Sequence, residues 1–162
     1  MSIVEIVSET PLRLQLVASL RSGQAFESLE TILDEVPVRL RFEQPQPSGK
    51  SPWQVIEHMR LSLEDLAAYI DNEHGTYKSK IWPDDFWPRS AGPVSESGWD
   101  ESVAELFRAR QRVEDLIMDP SRDLFAPFRW HHGHTLLRQA LIAIEHTAYH
   151  CGELVEISAQ VE

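Results

Sequence analysis

Two histidines four residues apart, His146 and His150, are the side chains of this sequence best spaced to do chemistry. In an α-helix that spacing puts both imidazoles on one face, one turn apart. Two ring nitrogens so placed can reach a single cation at about 2.0–2.1 Å. Alone, an H-x-x-x-H pair reads equally as two partly buried histidines satisfied by Glu153 or by a backbone carbonyl. The surrounding helix decides how the pair is set. Laid out at about 100° per residue, Arg138, Glu145, Gly152 and Glu156 share one narrow stripe. Leu137, Ala140, Leu141, Ile144, Ala148, Cys151 and Val155 take the opposite side, and the two histidines fall between, beside Gln139, Ala143, Glu153 and Ile157. A helix with one solvent stripe has no need of a second polar strip.

A third candidate is His58, on the flank of an apolar helical face and in line with Ser51, Gln54, Ser62 and Asp65. Pointed into a bundle beside the last helix, it completes a facial three-nitrogen site with positions left for water or substrate. By itself it reads as an ordinary boundary histidine. The tract His131, His132 and His134 reads first as solvated loop, with the rim of the site as the alternative and His134 nearest to it. Tyr149 is expected to pack rather than to offer its hydroxyl. Cys151 falls on the apolar side and is expected in the core. Glu57 and Asp65 read as surface groups or as partners behind the ligands. No residue is assigned a catalytic role, and the chain has neither a Gly-rich phosphate loop nor a G-x-S-x-G elbow.

The elements that must position these residues are helical. The first pattern opens at Thr10-Pro11, a cap followed by proline, and carries Leu12, Leu16, Leu20, Leu29, Ile32 and Leu33, with Gly23 a point for a break or kink. The second starts at Ser51-Pro52 and repeats Val55, Ile56, Met59, Leu63, Leu66, Ala67 and Ile70 at helical spacing, ending near Asp71. A long connection, 77–98, holds Trp82, Phe86 and Trp87, aromatics expected to pin it onto the bundle. The third helix is expected over about 100–119 and the last over about 135–158. Four helical patterns without strand alternation predict an all-α four-helix bundle with long connections, one domain over 1–162.

Composition excludes several classes. With 26 acidic against 15 basic side chains the formal charge is −11, which repels nucleic acid and anionic lipid. The densest basic run, Arg108, Arg110 and Arg112, alternates with Glu105, Glu114 and Asp115 and reads as a solvated, ion-paired face. No nucleic-acid or membrane partner is expected. A single cysteine forms no intrachain disulfide, and the first ten residues do not read as a signal peptide, so a reduced cytoplasm is the default.

Two stretches resemble the DinB-like (DinB/YfiT) superfamily: Ser51-Pro-Trp-Gln-Val-Ile-Glu-His-Met-Arg60, its second helix, and residues 133–155, its last helix with an H-x-A-Y-H-x-G core. Trp82-Pro-Asp-Asp-Phe-Trp-Pro88 is similar to the connection of one bacterial subgroup. The resemblance spans most of the chain and is weakest before residue 48. It implies a four-helix bundle, often a homodimer, with His58, His146 and His150 at the family's ligand positions for one divalent ion, nickel or zinc foremost. It further implies a small-molecule substrate, with some members joining a low-molecular-weight thiol to an electrophile. A metal-dependent transferase or hydrolase is therefore expected, with a non-catalytic metal-binding stress-response protein as the alternative. The chain departs from the family at Glu153, where glutamine usually follows the glycine. A carboxylate there can orient the His150 imidazole from behind.

Overall fold

A computed structural model describes residues 3–44, 49–90, 92 and 95–159. Five α-helices run in the order α1 (Ile3–Leu20), α2 (Leu29–Glu35), α3 (Pro52–Ile70), α4 (Glu96–Met118) and α5 (Leu136–Ala159), with a short 3-10 turn at Val38–Leu40. No strand forms among the described residues. The four long helices make the bundle: α3 packs between α4 and α5, α1 lies against the same two, and α2 caps α5. The all-α reading holds, and the extra helix comes from a division of the first.

That division has a local cause. Ser22 and Gly23 both adopt positive φ, 65° and 80°, a region that only glycine enters without steric cost. The chain turns there, and Ser28 restarts the helix by accepting a hydrogen bond from the Thr31 N–H. The start expected at Thr10-Pro11 is corrected: α1 begins upstream at Ile3 and Pro11 lies inside it. Apolar Ile3, Ile6 and Val7 extend the helical spacing past the proline, so its missing N–H is one gap in a continuing ladder rather than a start signal.

At α3 the sequence signal was accurate. Ser51 caps the helix, its hydroxyl taking the Gln54 N–H while the Gln54 side chain reaches back to the Ser51 N–H. Asp71 closes it. Helix α4 starts at Glu96, one turn before the expected Asp100, because Ser95 supplies the cap to the Gly98 N–H. Thr135 caps α5 through the Arg138 N–H.

The core between the helices is aliphatic: Leu20, Leu29, Ile56, Met59, Leu63, Ile70, Leu106, Ile117, Leu136 and Leu154 are all fully buried. On α5 the buried face runs through Leu136, Gln139, Ala140, Ala143, Thr147, His150, Cys151, Leu154 and Ile157. It is rotated from the expected one. Leu141 and Val155 are half exposed, and the histidine strip itself turns inward.

Candidate metal centre

Helices α3 and α5 deliver the three histidines. His58, His146 and His150 each place a ring nitrogen within 4.8 Å of the others, so residues 88 or more positions apart in sequence meet at one point. The Nε2 atoms of His58 and His146 are 3.0 Å apart, and the His146 and His150 ring centres 4.5 Å apart. An ion held at about 2.0–2.1 Å spaces its ligand atoms by about 3–3.4 Å, which the first pair already meets. His58 is 2 % and His150 4 % exposed, and His146 is partly open.

What lies behind two of the rings fixes which nitrogen faces the cluster. The Phe86 carbonyl stands 2.8 Å from His58 Nδ1. A carbonyl only accepts, so Nδ1 carries the hydrogen and Nε2 presents its lone pair to the cluster. His150 Nδ1 lies 2.7 Å from a carboxylate oxygen of Glu153, again leaving Nε2 free. This is the pairing expected of Glu153, and it is the arrangement by which carboxylates and carbonyls orient histidine ligands.

Burial keeps the site ready for a cation. It is the main cause that pushes the His146 imidazole down to about 3, with the facing His150 and His58 adding to the effect. His58 is lowered too, by burial above all, although the Phe86 carbonyl opposes the shift. Both rings are therefore neutral near pH 7 and have nothing to repel an incoming ion. Three converging imidazoles, two of them with Nδ1 engaged from behind, fit one divalent metal.

The connection contributes what sequence reasoning missed. Trp87 lies flat on His58, ring centres 3.9 Å apart and planes 5° from parallel. Trp82 meets the same imidazole edge-on at 5.9 Å. The aromatic motif 82–88 is the available signal, but neither its expected anchoring role nor its family resemblance places an indole on His58.

The other candidates lie elsewhere. His134 accepts or donates at Tyr69 Oη, 2.7 Å away, and stacks on His131. Tyr69 is three turns along α3 from His58, about 16 Å at 1.5 Å per residue, so His134 belongs to the opposite end of the bundle and does not rim the site. His131 and His132 are exposed. Tyr149 is 71 % exposed rather than packed, its ring edge against His150. Cys151 is fully buried as expected, on the core side of α5. Glu57 pairs with Arg60 and Asp65 accepts from Tyr77, so neither touches the cluster.

No helix among the described residues is long and apolar enough to cross a membrane. No curated protein and no solved structure matches the chain. The family model of the DinB superfamily matches residues 23–154, a span that takes in all three histidines, the Trp82–Pro88 connection and Glu153. The chain belongs to the DinB superfamily.

Proposed function

We propose that this DinB-superfamily chain is a metal-dependent enzyme in which His58, His146 and His150 hold one divalent ion, nickel or zinc, and a small-molecule substrate takes a remaining coordination position. The observation that carries the reading is the convergence of three inward imidazoles, two of them with Nδ1 engaged by Phe86 and Glu153. Neutral ligands leave a bound divalent ion its full charge, which lowers the pKa of a water or thiol that joins it. The protein's own part is positional. The Phe86 carbonyl and the Glu153 carboxylate hold protons on Nδ1, and Trp87 keeps water off one face of His58.

Thiol transfer and hydrolysis both follow from such a site, and the family resemblance favours transfer of a low-molecular-weight thiol to an electrophile. The alternative is a metal protein without catalysis, in which a structural site fills all four positions with protein ligands. Among the described residues the cluster has three members, which favours an open site. Metal-loaded protein incubated with monochlorobimane and a panel of bacterial thiols tests the reading. Conjugation that disappears in His146→Ala supports the enzyme; no conjugation with any thiol, and no hydrolysis of ester or amide probes, favours the non-catalytic alternative.

A further inference from the structure

Residues 77–90 run along α3 through four successive contacts. The Gln54 amide donates to the Ser90 carbonyl at 2.9 Å, and His58 Nδ1 to the Phe86 carbonyl at 2.8 Å. Lys80 Nζ donates to the Leu61 carbonyl at 3.2 Å, and Tyr77 Oη to the Asp65 carboxylate at 3.2 Å. As the α3 partner advances from 54 to 65, the other partner retreats from 90 to 77, so the segment runs antiparallel to the helix as a strap. The Lys50 ammonium sits 5.0 Å over the Trp87 ring and holds that indole from outside the strap.

We propose that this strap is a working part of the metal centre: seated, it fixes the tautomer and orientation of His58 that ligation needs, and a bound ion in turn holds the strap down. The inference rests on the metal reading above. Its positioning groups are the Phe86 carbonyl and the Trp87 indole, which act through His58 and do not reach an ion. With the strap lifted, the acceptor at Nδ1 and the indole that sets the ring plane are both withdrawn. With an ion on Nε2, the imidazole carries more positive charge and Nδ1–H becomes a stronger donor to Phe86. Reciprocity follows from linkage: the factor by which seating raises metal affinity is the factor by which the metal raises seating.

Hydrogen exchange reads seating directly, even if the lifted form is rare. The amides of Asp85 and Phe86 donate to Ile81 and Pro83 carbonyls inside the strap, at 2.9 and 3.0 Å, and report its opening. The Arg122 amide, bonded to Asp119 at 3.2 Å near the far end of the bundle, serves as control. Saturating the wild type with zinc should slow exchange at Asp85 and Phe86 by about 10–100-fold, and at Arg122 by less. Trp87→Ala should weaken zinc binding by a similar factor, while Trp87→Phe, which keeps a stacking ring, should recover most of it. His146→Ala should leave the strap amides indifferent to zinc. If the wild type binds zinc through the histidines but Trp87→Ala binds within twofold of it, or the strap amides do not respond, the strap is a passive linker and the metal centre stands without it. If the wild type takes up neither zinc nor nickel, both readings fall.

Discussion

The Trp87 indole and the His58 imidazole lie face to face, 3.9 Å between centres and 5° from parallel, so the long connection covers a ring that α3 presents to α5. The Phe86 carbonyl stands behind that ring and His146 Nε2 in front of it. Two segments, the connection and α5, thus constrain this ring on three sides. A ring so held that presents a lone pair to two further imidazoles is arranged as a ligand.

Glu153 should matter through His150. Glu153→Ala removes the acceptor at Nδ1 and should weaken metal binding by about 10–100-fold, as loss of such partners does elsewhere. Glu153→Gln keeps an oxygen in reach and should lose less. Isothermal titration with zinc checks both; equal affinity in all three proteins would mean that the 2.7 Å contact does not orient the ligand.

Acid should destabilise the metal-free protein through these same rings. The His146 imidazole sits at about 3 in the fold against an ordinary 6.5, because burial opposes its charge. Between those values the unfolded chain binds the proton and the native state does not, so stability is fully present above pH 6.5 and falls as pH drops toward 3. His58 acts in the same direction. Urea midpoints at pH 7.5 and pH 5 should therefore differ more in the wild type than in His146→Ala, and a slope unchanged by that substitution would contradict the assignment.

Arg13 should be a stability residue with no part in the site. It is 3 % exposed, pairs with Glu9, and donates to the carbonyls of Ile117, Asp119 and Arg122 just where α4 ends. Arg13→Ala strands those acceptors and a buried carboxylate, at a cost of about 3–5 kcal/mol. Denaturant unfolding should show that loss with zinc stoichiometry unchanged in the folded fraction.

Cys151 should be inert in the native state. It is fully buried, and burial pushes its thiol upward, which suppresses the thiolate that reacts. A thiol reagent should label it only as fast as the protein unfolds; prompt labelling of folded protein would refute its core position.

How much of this was legible before the fold was known differs by element. Ser51-Pro52 marked the start of α3 because cap and proline act locally, whereas the same signal at Thr10-Pro11 misled because apolar residues upstream carried the helix through. The α5 strip was recognised as special, but its buried face was set too far from the histidines. Leu141 and Val155, apolar yet about half exposed, pulled the periodic signal away from the true inward side. His58 was found by its place on a polar line along α3. Its partners were out of reach, since a backbone carbonyl such as that of Phe86 leaves no mark in residue types, and the stacking of Trp87 depends on a register only the folded connection sets. The rim alternative for His134 fails because closeness in sequence to α5 says nothing about which end of an antiparallel pair a residue occupies.

The most direct measurement is the metal content of the purified protein by elemental analysis, before and after titration with nickel and zinc. One divalent ion per chain is expected, falling to none in His58→Ala, His146→Ala and His150→Ala proteins that remain folded by circular dichroism. No bound ion in the titrated wild type, or an ion retained when the histidines are removed, would contradict the metal centre.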